Sequence, residues 1–477
     1  ILTQEQDLEK ASQSLSKILG DVDSNLFQKF LKKPYKLVRI SDNKYIIYIP
    51  KWVPNFQVGW LIDDTDDTFY TYEVNQYSAW LGDIPEELLS KLEIGKNSID
   101  ATVENNIVKF PESSRPKAEE LFKGHVLSWE FDQARIKSGH EFDIILKIIR
   151  NGKIPYKRMP VKDEDRRKPE VDFDLYGYQK EATKLFFETG AIGVFHPTGA
   201  GKSFVAMFSA DSVKGPKILV TTRTLVDQWY YYFEKYAPRL KDEVELVTYE
   251  LLRARPEYFQ KQYTLGIFDE CHKLPATSFA KMALLNMKYR IGLSASPHRE
   301  DGNEDLIFAL TGYPIGINWP SYMATTGRKY HPIFVHIVKQ DYRKVTILNK
   351  LIDRTKKTII FCDSIALGHR ISQNLQVPFI HGGTPGDRVQ IVRENQVVVA
   401  SRVIDLGISD KELQRIIEVD FLFGSRQQEI QRTGRLMHSE ASNKRHDIIM
   451  TEKEYADYGK RIWVLQEKGF QIKILES

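Results

Sequence analysis

The run Ala191-Ile-Gly-Val-Phe195, His196-Pro-Thr-Gly-Ala-Gly-Lys-Ser203, Phe204-Val-Ala-Met-Phe208 constrains the fold more than any other stretch of the chain. It reads as a buried strand, a glycine loop and a helix, the order in which a triphosphate cradle is built. Gly199 and Gly201 let the backbone curl with its N–H groups towards phosphate oxygens, and Pro197, Thr198 and Ala200 complete the loop. Lys202 can reach the β- and γ-phosphates, and the Ser203 hydroxyl can bind Mg2+. The helix that follows presents its positive end to the same anion. His196 stands where the full pattern has glycine, and a plain glycine turn between a strand and a helix is the alternative reading.

Downstream of residue 173, apolar β-branched runs alternate with amphipathic helices. Lys217–Val220, Leu265–Phe268 and Tyr289–Leu293 form one series; Thr358–Phe361, Val397–Ala400, Arg415–Val419 and Asp447–Met450 form a second. Strands that are apolar on both faces imply parallel sheets covered by helices on each side. Only the first series carries a phosphate loop. Upstream, Leu37–Ile40, Lys44–Ile49 and Val58–Ile62 read as short strands and Pro85–Leu92 as a helix, giving a smaller α+β domain with Trp52, Trp60, Trp80 and Trp129. At least two of these tryptophans are expected in its core. The charged stretch Pro160–Pro169 reads as a linker with nothing to bury.

Of 477 residues only two are cysteine, Cys271 and Cys362, which argues against a disulfide framework or a zinc site. A net charge of +4 leaves any basic surface local. No apolar run reaches the length of a membrane span, and the polar start is unlike a signal peptide, so an intracellular protein is expected.

Two further segments carry chemistry. Phe268-Asp-Glu-Cys-His272 ends a strand after the loop; Asp269 can hold Mg2+ and Glu270 can orient or deprotonate water, although acids capping a helix would look the same. In Ser425–Leu436, Arg432 and Arg435 have helical i, i+3 spacing, so both can face a γ-phosphate across a cleft; a solvated basic face is the alternative.

With Pro197–Ser203, Asp269–His272, Ser294-Ala-Ser296 and Gln431-Arg-Thr-Gly-Arg435 in this order, the chain resembles the superfamily 2 helicases. Arg299-Glu300-Asp301, just after Ser294-Ala-Ser-Pro297, is similar to the XPB-type members, archaeal ones in particular. The resemblance covers about residues 173–470 and implies two tandem recA-like motor domains that bind ATP and Mg2+ and contact DNA. With the changes of rhythm along the chain, the expected boundaries are 1–160 for a substrate- or partner-recognition domain, 161–172 for a charged linker, 173–318 and 345–477 for the motors the resemblance implies, and 319–344 for a short connector in place of a thumb. Lys202, Ser203, Asp269, Glu270, Gln431, Arg432 and Arg435 would then make the ATPase centre, joined by Asp405 and Gly407 of the fifth motif. Gln179 would read adenine, with Tyr176 stacking on the base. Thr222, Arg223, Thr248 and Ser401 would hold a strand's phosphates, which gives affinity without sequence preference, and Leu225–Trp229 and Thr248-Tyr249 occupy strand-contacting motifs. Arg299, Glu300 and Asp301 would serve strand separation.

The resemblance thus implies a DNA-dependent ATPase that translocates 3′→5′, in nucleotide excision repair or transcription, in an archaeal cytoplasm or nucleoid. Two alternatives stand beside it: an RNA helicase or remodeller, and an ATPase scaffold for a repair nuclease with little unwinding of its own. A nuclease in its own right would lack a metal cluster outside the ATP site.

Overall fold

In the computed structural model the described residues are 35–51, 58–81, 84, 86–153, 160–274, 285–297, 302–385, 388–402, 411–421 and 426–476. The apolar runs become the two parallel sheets. The first holds β9 (Ala191–Phe195), β10 (Lys217–Thr221), β11 (Val244–Thr248), β12 (Gln262–Asp269), β13 (Asn286–Ser294) and β14 (Tyr313–Gly316) in the order β11-β10-β12-β13-β9-β14. The second holds β15 (Ile333–Val338), β16 (Thr358–Cys362), β17 (Phe379–Ile380), β18 (Val397–Ala400), β19 (Arg415–Asp420), β20 (Arg445–Thr451) and β21 (Ile472–Glu476) in the order β17-β18-β16-β19-β20-β15-β21. β9, β10, β16 and β18 are buried along their whole length, because helices cover both faces.

The N-terminal region holds two antiparallel four-stranded sheets: β1 (Lys36–Ser41), β2 (Lys44–Pro50), β3 (Trp60–Asp63) and β4 (Phe69–Asn75), then β5 (Thr102–Glu104), β6 (Ile107–Lys109), β7 (Val126–Trp129) and β8 (Gln133–Ile136). In β2 buried and half-buried residues alternate strictly, the period of a sheet with one face on a core. The helix Glu141–Arg150 buries Ile144, Ile145, Ile148 and Ile149 and shares a core with the first motor, including Phe195 and Phe308. Tyr77 stacks on Phe308 at 5.2 Å, Trp80 meets the same ring edge-on at 5.5 Å, and Arg150 pairs with Asp305. The first sheet reaches the second motor instead. Leu61 N donates to Glu467 Oε2 at 3.1 Å, and Arg426 Nη2 donates to Leu61 O at 2.5 Å. The N-terminal region therefore bridges the two motors.

Two readings of the sequence change. Pro160–Pro169 is not a free linker: Val161 is buried, Arg167 binds Glu243, and Asp165 binds Lys288 at 2.5 Å and Tyr289 at 2.6 Å. Arg167 and Asp165 are paired with the first motor, so the segment is docked there although Asp163 and Glu164 remain exposed. Residues 333–338, placed in the connector, are β15 between β20 and β21 of the second sheet. Of the four tryptophans, Trp60 is buried, and the half-buried Trp80 and Trp129 pack against the core shared with the first motor, Trp129 under the Arg115 guanidinium at 4.9 Å; Trp52 lies outside the described residues.

Candidate active site

Parallel strands bring their carboxyl ends to one edge of the first sheet, and the first-motor motifs among the described residues sit there. The phosphate loop follows β9, Asp269 ends β12, Ser294 ends β13, Thr222 and Arg223 follow β10, and Thr248 ends β11 opposite Thr221. Gly199 and Gly201 take φ of +71° and +74°, the left-handed turn the cradle requires. Thr198 Oγ1 is buried with no hydrogen-bond partner among the described residues, and Lys202 Nζ donates to the loop's own carbonyls, His196 O at 3.0 Å and Pro197 O at 3.3 Å. Burial lowers the Lys202 ammonium against the pull of Glu270 and Asp269. A cationic amine, a buried unsatisfied hydroxyl and an N–H-lined turn at a helix start fit a polyphosphate.

Asp269 is buried. Burial, then the neighbouring Glu270, push its carboxyl up to about 6, although Trp229 Nε1 at 2.8 Å and Thr221 Oγ1 at 3.0 Å donate to its Oδ2. Tyr249 O–H donates to the Asp269 carbonyl at 2.8 Å. Glu270 sits at φ +53°, a conformation that costs a non-glycine residue roughly 1 kcal/mol or more and that recurs at functional sites. Burial acts to raise Glu270, but His272, with Nδ1 3.2 Å from Oε2, and Lys202 outweigh it and hold the carboxylate below its ordinary range. His272 Nδ1 also lies 3.1 Å from Ser294 Oγ, which links the Ser294-Ala-Ser296 segment to the carboxylate. Two adjacent acids are thus pushed apart, one towards protonation and one towards ionisation.

The second motor closes on this edge through the helix Arg426–His438. Gln431 Nε2 approaches Glu270 Oε1 at 3.5 Å, and Gly434 packs on Thr198 so closely that a Cβ there would stand 2.8 Å from the threonine Cβ. Arg435 is buried beside Gly434. Arg432 does not share that face. Its guanidinium binds Glu418 Oε2 at 2.5 Å and Asp363 Oδ1 at 2.8 Å over the Phe361 ring, in a buried cluster with Arg461, Glu429 and His446. The i, i+3 spacing is present, but two buried carboxylates claim Arg432 for the helix's inner side.

Gln179 also has a different place. Its Nε2 donates to Ala200 O at 2.9 Å and its Oε1 accepts from Tyr176 N at 2.8 Å, so it braces the loop's turn. Tyr178 O–H donates to the same Ala200 carbonyl at 3.0 Å, while the exposed Tyr176 ring stacks on Tyr178 at 5.9 Å. His196 is fully buried edge-on to Tyr178 at 5.2 Å, and burial lowers its imidazole to about 3, so it is a neutral wall of the loop. At the strand-contact edge Arg223 is exposed, Thr222 Oγ1 lies 3.1 Å from Thr224 Oγ1, and Thr248 caps the next helix by accepting from Leu251 N. Ser401 is buried at the end of β18. Arg299, Glu300, Asp301, Asp405 and Gly407 lie outside the described residues. Sequence reasoning missed Thr221, Trp229 and Tyr249 as holders of Asp269; Trp229 and Tyr249 stood in segments assigned to strand contact, and only the shared strand edge connects the two tasks.

The sequence profile of the ERCC3/RAD25/XPB C-terminal helicase matches residues 319–457, and that of the type III restriction enzyme res subunit matches residues 172–299. Rad25 of Halobacterium salinarum is 27% identical over 365 residues, 65% of this chain and 59% of that protein. The DNA 3'-5' translocase XPB2 of Sulfurisphaera tokodaii is 26% identical over 60% of this chain and 83% of its own length. The factor IIH helicase/translocase subunit XPB/SSL2 of Saccharomyces cerevisiae is 24% identical over 65% of this chain and 46% of that protein. This chain spans 59% and 56% of the two Rad25 proteins it matches. Saccharomyces cerevisiae Dbp5 bound to RNA and ADP BeF3 superposes with a TM-score of 0.50 at 12% identity, over 64% of this chain and 90% of that one, which shows the shared fold. With its described motifs in order on two parallel sheets and these matches over both, this chain is similar, in its two tandem motor-type domains, to the XPB/Rad25 helicases.

Proposed function

We propose that the chain is a DNA-stimulated ATPase that moves 3′→5′ along DNA and opens or remodels it in repair or transcription. The observation that carries this reading is the double hold on Asp269. Trp229, in one strand-contact segment, donates to its carboxylate, and Tyr249, in the other, donates to its carbonyl. A phosphate backbone gripped at Thr222, Arg223 and Thr248 would therefore act on the nucleotide carboxylate through one side chain each. Lys202, the loop N–H groups and Ser203 would bind ATP, with Ser203 and Asp269 holding its Mg2+; the ion supplies charge neutralisation on the phosphates. Glu270, kept anionic by His272, orients water and accepts its proton. Gln431 brings the second motor to Glu270, and Arg435, next to the Gly434–Thr198 contact, supplies the cation for the developing charge. Arg432 positions the helix that carries both. Closure on ATP and reopening after hydrolysis would alternate the strand contacts between the motors. The N-terminal region, touching both motors, would serve substrate or partner recognition.

ATP turnover of the full chain with single-stranded DNA, duplex, forked DNA and RNA tests this directly. DNA, forked DNA above all, should stimulate turnover; stimulation by RNA alone would replace the reading with an RNA remodeller. Stimulation by DNA without displacement of a tailed strand would favour a scaffold that drives a partner.

A further inference from the structure

The N-terminal region carries a side-chain cluster that neither the motor nor its motifs use. His125 precedes β7, His140 precedes the helix Glu141–Arg150, and Asp143 lies in that helix's first turn. Their ligand atoms converge: His125 Nδ1 to His140 Nδ1 is 3.1 Å, His140 Nδ1 to Asp143 Oδ2 is 2.9 Å, and His125 Nδ1 to Asp143 Oδ2 is 3.5 Å. A tetrahedral ion with bonds of about 2.0–2.1 Å to nitrogen and oxygen has ligand-to-ligand edges of about 3.3 Å. The three measured edges average close to that value, so one point lies at bonding distance from all three atoms.

The backbone holds the ligands rather than the reverse. His125 N donates to Phe122 O at 3.0 Å and its carbonyl accepts from Lys137 N at 2.9 Å. Lys137 in turn accepts from His140 N at 3.0 Å, and the His140 carbonyl accepts from Ile144 N at 3.1 Å. One residue thus ties both histidines, and the helix behind them is fixed by four buried isoleucines. Side-chain exposures of 23%, 40% and 45% leave the fourth corner to solvent. Among the described residues the other such convergence, Glu418, Glu429 and His446, is buried, and its carboxylates are already held by the guanidinium groups of Arg432 and Arg461.

We propose that His125, His140 and Asp143 form a site for a divalent d-block cation of the zinc class, with three protein ligands and an open fourth position. Two imidazoles and one carboxylate suit zinc or cobalt and not Mg2+, which demands octahedral oxygen. The ion would clamp the start of the helix whose far end, Arg150, pairs with Asp305 of the first motor.

The test uses the full chain, stripped with chelator and titrated with Co2+ and Zn2+ in excess Mg2+. Co2+ should give the strong visible absorption of a tetrahedral centre at about one equivalent per chain, displaced by Zn2+, and Zn2+ should raise the melting temperature. His140→Gln and Asp143→Asn should each lose that equivalent while keeping the circular dichroism of the parent. Unchanged stoichiometry in both variants would overturn the proposal. X-ray absorption of the unaltered zinc-loaded chain provides a readout independent of any variant: two imidazole shells support the site, and one or none refutes it.

Discussion

Glu418 is the residue on which the second motor's buried charge balance turns. Its Oε2 receives Arg432 at 2.5 Å and Arg461 at 3.0 Å, and its Oε1 faces His446 Nε2 at 2.9 Å. Burial would raise Glu418, but the two guanidinium groups outweigh it and hold it well below the ordinary carboxylate range. Glu429, 2.9 Å from Arg461 Nε, is pushed well above that range by burial and by Glu418. The two acids therefore differ sharply in what an amide costs. Glu418→Gln leaves two buried guanidinium groups short of an anion, which should cost about 3–5 kcal/mol. At roughly 2–4 °C per kcal/mol for a domain of this size, melting should fall by about 10 °C. Glu429→Gln mimics the acid's protonated form and should cost under about 1 kcal/mol. The pH signs are opposite. Glu418's contribution is present above the unfolded carboxylate value and lost as pH falls through its lower folded value. Glu429's is present below the unfolded value and lost as pH rises through its higher folded one, so Glu429→Gln should match or exceed the parent at neutral pH and above. Thermal melts of the three proteins between pH 5 and pH 9 decide it. Equal losses for the two variants would refute the assignment of charge.

Arg435→Ala should cut ATP hydrolysis by about 10³-fold or more while leaving nucleotide affinity within a few-fold, read by turnover and by fluorescent-nucleotide titration; parallel losses would remove its transition-state role. Because burial raises Asp269 to about 6, the acid's contribution to the stability of the nucleotide-free chain is highest below the unfolded value of 3.8 and is lost as pH rises through about 6. Asp269→Asn should therefore melt a few degrees higher than the parent at pH 8, with the gap narrowing through pH 5 and closing only below about pH 4, and should lose hydrolysis throughout. Glu467→Ala removes the carboxylate that joins Leu61 to Arg426 and should weaken DNA stimulation of turnover more than basal turnover. An unchanged ratio of the two would show that the N-terminal bridge does not couple to the motor.

The parallel sheets were legible because strands buried on both faces must be apolar throughout, and β9, β10, β16 and β18 are. The phosphate loop and Asp269-Glu270 could be singled out because their residue types follow predicted strands, and both lie at the carboxyl edge of the first sheet. What composition concealed was pairing across the fold. Pro160–Pro169 looked solvated because its partners Glu243 and Lys288 lie far along the chain. Arg432 looked equivalent to Arg435 because helical spacing shows which residues share a face and not which buried acids wait beside it. Gln179 looked like a base reader, yet its amide braces the Ala200 carbonyl, a contact set by how the helix Gly177–Thr189 lies on the loop. The histidines at 125 and 140 stand fifteen residues apart with no ligand spacing, and only the turn at Lys137 brings their rings together.

The central claim is that Lys202 and the residues around it turn over ATP in response to DNA. ATP hydrolysis by the Lys202→Ala chain, with and without forked DNA, tests it most directly. Loss of both basal and DNA-stimulated turnover, in a variant with the parent's circular dichroism, is the expected result. Turnover that persists in Lys202→Ala and still rises with DNA would contradict it.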